Sequence, residues 1–140
     1  SLRDLLEDVV QSLPNDDRSQ VEVSEGDALV RGDATLLGTM VANAIANGLK
    51  FGSAVTTEVL LMEGVAVLHV DDDGPGVEAS ERERAFEPFF RSSEALRRRI
   101  PGHGLGLALI RHIATTHGGS AKLVDKRTQG ARLEIRLPSA

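Results

Sequence analysis

The sequence contains no cysteine. That excludes a disulfide framework, a thiolate metal centre and a cysteine nucleophile. No apolar run approaches the ~20 residues of a membrane-spanning helix, and no secretory signal pattern is visible. Positive charge is in deficit: 16 Lys and Arg against 21 Asp and Glu give −5 at neutral pH, with a pI near 5.3. That balance argues against general affinity for nucleic acid. There is no GxxxxGK[ST] loop and therefore no P-loop nucleotide site. The four histidines, His69, His103, His112 and His117, form no group with zinc spacing and no Ser-His-Asp set.

What is present suits one domain. A chain of 140 residues with 41% hydrophobic content can bury a core. Leu2, Leu5, Leu6, Val9, Val10 and Leu13 make a helical stripe that ends near Pro14. The chain thus opens inside a helix, as expected of a piece of a longer protein. Residues 15–19 read as a polar loop, and 21–23 and 28–30 as short strands. Val55 to Met62 and Val65 to Val70 read as a hairpin joined at Glu63-Gly64. Ser80 with Glu83 predicts a capping box and a short helix to about Phe89. The arginine-rich stretch from Phe90 to Gly102 reads as a mobile loop of lid size. A helix from about Gly106 to the Gly118-Gly119 pair precedes strands at 121–124 and 131–137. In the last strand Leu133, Ile135 and Leu137 alternate with Arg132, Glu134 and Arg136, so one face is buried and one is wet. The expected fold is α+β: a two-layer sandwich of a mixed, mostly antiparallel sheet with about three helices on one face.

Three places carry candidate chemistry. The first is the helix from Asp33, its expected N-cap, to Phe51. Leu37, Val41, Ala44, Ile45 and Leu49 form its apolar stripe, while Asn43, Asn47 and Lys50 stack on another face. Asparagine is a poor helix former. Two of them one turn apart beside a lysine suit a hard cation and a phosphate, or else a solvated face. The second place is Asp71 to Gly76, where Asp72 at a strand end could accept a hydrogen bond from an exocyclic amine, or merely belong to an acidic turn. Gly74-Pro-Gly76-Val-Glu-Ala79 mimics a dinucleotide fingerprint, but no βαβ unit follows and Pro75 removes a donor. The third is Gly102-His103-Gly104-Leu105-Gly106 at a helix start, where free amides and the helix dipole favour an anion. A lid hinge would use the same glycines. Of the histidines, only His103 is expected near a ligand.

Four blocks stand in fixed order: Asn43-xxx-Asn47-xx-Lys50-Phe51, Asp72-x-Gly74-x-Gly76, Phe86-Glu-Pro-Phe89-Phe90 and Gly102-x-Gly104-Leu105-Gly106-Leu107. Together they resemble the N, G1, F and G2 boxes of the ATP-binding domain of bacterial two-component sensor histidine kinases. That family shares a superfamily with gyrase-type topoisomerases, heat-shock chaperone ATPases and mismatch-repair ATPases. The resemblance covers nearly the whole chain and implies a Bergerat-type fold, one catalytic domain over 1–140 and an ATP lid at about 91–101. It implies ATP and Mg²⁺ as ligands. Asn47 would bind the metal, Asn43 would help with metal and phosphate, and Lys50 would contact phosphate; these three are the implied catalytic residues. Phe51 would line the base pocket, Asp72 would bond the adenine amine, and Gly74 and Gly76 would shape the wall. Gly102, His103, Gly104, Leu105, Gly106 and Leu107 would surround the phosphates, with Arg91 reaching toward them. Phe86, Phe89 and Phe90 would anchor the lid base, although Phe86 reads equally well as core.

The resemblance further implies transfer of the γ-phosphoryl to a histidine on a separate upstream dimerisation domain, and a cognate response regulator. Nothing in this chain matches that phosphoacceptor histidine. The fragment is expected to be a monomer, and its parent a homodimeric inner-membrane sensor with this domain in the cytoplasm. No nucleic-acid partner is expected. Gly48 departs from the pattern, which commonly has Ala there; a helical glycine costs up to ~1 kcal/mol. Two other readings stay open: a serine kinase acting on an anti-anti-sigma partner, and a non-catalytic nucleotide-sensing module.

Overall fold

Strand alternation in the middle of the chain sets the architecture. The computed structural model describes residues 1–140. β2 (Val55–Met62) and β3 (Val65–Asp72) pair antiparallel from Met62 opposite Val65 to Val55 opposite Asp72. The turn between them, Glu63-Gly64, has both residues at positive φ, the geometry that matches hairpin twist. β5 (Arg132–Pro138) runs antiparallel to β3, and β4 (Ser120–Val124) antiparallel to β5. β1 (Val21–Val23) adds to the other edge in parallel with β2, giving the order β1-β2-β3-β5-β4.

Three helices cover one face: α1 (Leu2–Gln11), α3 (Ala34–Phe51) and α5 (Gly106–Thr116). Ala66, Leu68 and Val70 of β3 and Leu133, Ile135 and Leu137 of β5 point into this layer. They meet Leu2 and Leu6 of α1, Met40, Val41 and Ile45 of α3, and Ile110 and Ile113 of α5 in one buried cluster. Each such Leu or Ile contributes about 1.5–3 kcal/mol by leaving water. The opposite face is charged. There Arg132 grips Asp71 through two bonds of 2.9 and 2.8 Å, and His69 meets Glu134 at 3.0 Å. No helix is long and apolar enough to cross a membrane.

The α+β sandwich, the hairpin, the Asp33 cap and the alternating last strand all appear as expected. Asp33 accepts the N–H of Leu36 at 3.0 Å. Four local expectations fail. Residues 28–30 form no strand: Val30 makes one isolated bridge to Ser139, while the carbonyls of Ala28 and Leu29 go singly to the N–H groups of Leu2 and Ala140. Residues 15–18 are not a loop but α2 (Asn15–Arg18), a single turn. The predicted helix to Phe89 is two 3₁₀ turns, Ala79–Glu81 and Arg84–Phe86, without a side-chain cap. That stretch has little apolar surface to bury, and its acids are claimed from outside: Glu81 by Ser93 and Glu83 by Arg111. Residues 91–101 contain a helix, α4 (Ser93–Arg97), capped by the Ser92 hydroxyl accepting from the N–H of Ala95.

Gly48 proves useful rather than merely weak. A Cβ there would stand 2.9 Å from Cγ2 of Val55, a stiff side chain that is itself buried. The glycine lets α3 lie close on β2. Gly48→Ala should therefore fail to deliver the ~1 kcal/mol that helix propensity promises. In a Val55→Ala background the same substitution should deliver it. A double-mutant cycle by urea denaturation measures the difference; equal effects in both backgrounds would contradict the crowding.

Candidate functional site

The turn after β3 is positioned by alternation. Asp71 falls on the charged face and is taken by Arg132, while Asp72 falls on the helix-covered face and is buried. Oδ1 of Asp72 accepts the N–H of Gly74 at 2.9 Å and that of Ala131 at 3.3 Å. Oδ2 receives no hydrogen bond from the protein and remains a free acceptor. Asp73 points elsewhere: its carboxylate takes the N–H groups of Ser53 and Ala54 and the Ser53 hydroxyl, tying the end of α3 to the turn.

A cavity of about 290 Å³ opens beside this turn. Asn43, Asn47, Lys50 and Phe51 of α3, then Asp72 and Gly76, form one side of it. Arg91 and the Gly102, His103, Gly104, Leu105, Gly106 and Leu107 run form the other. Of the predicted site residues only Gly74 stays outside. It packs instead on the carbonyl of Phe51, where a Cβ would come within 2.4 Å of the oxygen. Gly76 lines the cavity at φ +81, in the left-handed region that favours glycine.

The lining is chemically mixed. Val77, Ala85, Phe90, Ala95, Ile100 and Leu123 give it an apolar part. Polar groups line it as well. The Asn43 amide nitrogen donates to the carbonyl of Thr39 at 2.9 Å, which leaves its oxygen free, and Asn47 makes no side-chain hydrogen bond within the protein. α5 begins at Gly106 with no side chain capping its first amides. Together these offer amide oxygens, an ammonium and open helix amides for an anion and a hard cation.

Segment 91–101 is packed rather than loose. Ala95 and Ile100 are buried, and Arg98 donates to the carbonyl of Phe51 at 3.2 Å. Arg91 donates to the carbonyls of Ile100 and Gly102, so its guanidinium closes the base of the segment instead of standing free in the cavity. The three phenylalanines divide. Phe86 is core, with the Arg111 guanidinium 3.8 Å above its ring. Phe90 lines the cavity, with Arg84 over its ring. The Phe89 side chain is 71% exposed and anchors nothing; its N–H bonds the carbonyl of Gly104 at 2.9 Å.

Sequence reasoning missed one group. Residues 126–131, between β4 and β5, fold over the turn: Lys126 Nζ donates to the carbonyl of Asp72 at 2.7 Å, and Gln129 donates to the carbonyl of Gly74 at 2.7 Å. Gly130 was the only local signal, and it read as a plain connection.

Comparison with known proteins places the chain among related sequences and folds. Residues 32–140 match the family described as histidine kinase-, DNA gyrase B-, and HSP90-like ATPase. The sensor histidine kinase GtrS of Pseudomonas aeruginosa is 44% identical over 98 residues, covering 70% of this chain and 20% of GtrS. The chain thus spans about a fifth of that relative's length. The mycobacterial sensor histidine kinase MprB superposes with a TM-score of 0.82 at 28% identity, covering 97% of this chain and 93% of the other. The ATP-binding domain of PrrB from Mycobacterium tuberculosis gives 0.75 at 30% identity, covering 99% and 91%.

Burial raises the Asp72 carboxyl above the usual aspartate range, against the opposing pull of the Gly74 and Ala131 N–H groups and Lys126. The folded chain then holds a proton at pH values where the unfolded chain has released it. Asp72 therefore costs stability progressively as pH rises from about 3.9 through its raised value. Asp72→Asn should remove that slope. The stability gap between variant and native chain, from denaturation midpoints at several pH values, should widen in the variant's favour as pH rises through this window. A gap independent of pH would refute the burial argument.

Proposed function

The chain belongs to the histidine kinase-, DNA gyrase B- and HSP90-like ATPase family, on its sensor histidine kinase branch, and from that premise we propose that it is a catalytic domain. It binds Mg-ATP and offers the γ-phosphoryl to a histidine on a separate dimerisation domain. The single observation that carries the reading is that Asp72, whose Oδ2 has no partner in the protein, lines the same cavity as Asn43, Asn47 and Lys50. A purine amine suits the first and a metal-bound phosphate the second.

Asp72 reads the base by accepting from the adenine amine. Phe51 and the apolar wall enclose the ring, and Gly76 gives it room. No cluster of three His, Cys, Asp or Glu side chains exists to cage a metal. That suits Mg²⁺, which is commonly held by few protein ligands together with substrate phosphates. Asn47 and Asn43 would hold it through their amide oxygens, and bound there it would neutralise phosphate charge. Lys50, the amides from Gly102 to Leu107, and His103 face the phosphates. Residues 91–101 serve as the lid. Arg91 acts through the lid carbonyls it bonds, unless a nucleotide draws it away. Phosphoryl transfer asks the protein mainly for position and charge, which this set supplies. The acceptor histidine, the response regulator and a homodimeric membrane-bound parent lie with the longer protein.

Two experiments test the reading. Asn47→Ala should abolish the strengthening of ATP binding by Mg²⁺, a loss on the order of tenfold or more, while metal-free binding changes little. The chain alone should bind ATP yet label no protein, and adding the dimerisation domain of its parent should produce phosphohistidine on that domain. Efficient labelling of His103 in the isolated chain would overturn the division of labour. Base reading has its own test. In Asp72→Asn the amide oxygen would keep the Gly74 and Ala131 N–H groups, turning a donor toward the cavity. The preference for ATP should then reverse in favour of ITP, whose base presents an acceptor there; a retained ATP preference would remove Asp72 from recognition.

A further inference from the structure

Residues 126–131 do more than connect two strands. They bond three main-chain groups of the Asp72–Gly76 turn: the Asp72 N–H, the Asp72 carbonyl and the Gly74 carbonyl. The N–H of Asp72 donates to the carbonyl of Ala131 at 3.0 Å. The N–H of Ala131 returns to Oδ1 of Asp72 at 3.3 Å. A Cβ on Gly130 would fall 1.8 Å from the carbonyl oxygen of Asp72, so only glycine permits this approach. Onto that same oxygen Lys126 donates at 2.7 Å, its ammonium also held by the carbonyl of Gln129 at 3.2 Å. Gln129 in turn donates to the carbonyl of Gly74 at 2.7 Å.

We propose that Lys126, seconded by Gln129, is a positioning residue for base recognition, holding the Asp72–Gly74 main chain so that Oδ2 of Asp72 faces the cavity. The inference rests on reading the cavity as an adenine-nucleotide site. Lys126 does not line the cavity itself; its charge is spent on two carbonyls, one of them belonging to the residue that reads the base. A neutral amide nitrogen, with its two N–H donors, could make such bonds but would bring no charge. The ammonium makes both and adds a positive charge beside a buried carboxylate, which favours its ionised form. The charged groups acting on that carboxylate are Lys126 from the β4–β5 connection and Asp73 from the same turn, with Lys50 of α3 bordering the shared cavity.

The test compares the native chain, Lys126→Met, Lys126→Arg, Gln129→Ala and Asp72→Asn in binding ATP, ITP and inorganic tripolyphosphate between about pH 5 and 8, roughly three decades of proton activity. Lys126→Met should weaken ATP binding about tenfold and flatten the preference for ATP over ITP. Its tripolyphosphate binding should stay native, because the phosphate-facing residues are untouched. The acidic limb of its ATP-binding profile should move to higher pH, and Lys126→Arg should restore both affinity and profile. Gln129→Ala should lose part of the same preference and serves if Lys126→Met does not fold. Native selectivity and an unmoved pH limb in both Lys126→Met and Gln129→Ala would overturn the proposal, provided Asp72→Asn loses selectivity. Equal weakening for all three ligands would also overturn it, since that marks a general loss of structure. If the native chain itself fails to prefer ATP over ITP, the nucleotide reading falls first and this inference with it.

Discussion

Backbone lies directly on backbone where α3 ends against the turn after β3, and the candidate site depends on that contact. A Cβ at Gly52 would meet the Asp73 carboxylate at 2.5 Å, and one at Gly74 would meet the carbonyl of Phe51 at 2.4 Å. Absence of side chains at these two places brings the helix and the strand end together. The Asp73 carboxylate then locks them through Ser53 and Ala54. Because Asn43, Asn47 and Lys50 stand on the helix so pinned, their distance from Asp72 is set by rigid elements rather than by loops. A site needing sub-ångström placement gains from such support.

The facing wall is built on a different principle. Segment 91–101 is held by a few discrete ties: Arg91 to two carbonyls of its own base, Glu81 to Ser93, and the burial of Ala95 and Ile100. Most of its other side chains, Arg97 to Arg99 among them, are exposed. Few buried contacts mean a low local opening free energy. One half of the cavity is thus anchored in the sheet and the other rests on local ties outside the main core cluster.

Long periodic elements were legible in the sequence because burial imposes their pattern. The stripe of α3, the alternation of β5 and the β2–β3 hairpin follow from it, and so does the face on which Asn43, Asn47 and Lys50 gather. Asp72 could be found because a strand leads to it. Elements too short to carry a period were not legible. Residues 28–30 look like a strand until their backbone groups are counted out to the two chain ends. Ser80 and Glu83 look like a cap until Glu83 goes to Arg111. The real cap, Ser92, was hidden beside an arginine run that reads as loop. Gln129 and Lys126 carry no pattern, since a lysine that bonds a distant carbonyl looks like any surface lysine. Arg91 was implied at the cavity wall and lies there, with its guanidinium on the carbonyls of Ile100 and Gly102, partners that no local pattern announces.

The bond from Lys126 to the carbonyl of Asp72 joins positions 54 residues apart. The strand that delivers this loop, β5, lies inside the sheet between β3 and β4, although it is the last to be synthesised. On the ribosome, therefore, the helix with its asparagines and the hairpin can emerge and pair while Asp72 still lacks its bonds to Ala131 and Lys126. The cavity wall at Asp72 is completed only when β5 takes its place between β3 and β4. A chain cut before β5 would keep the helix and the hairpin yet leave the Asp72 carboxylate without its distant supports.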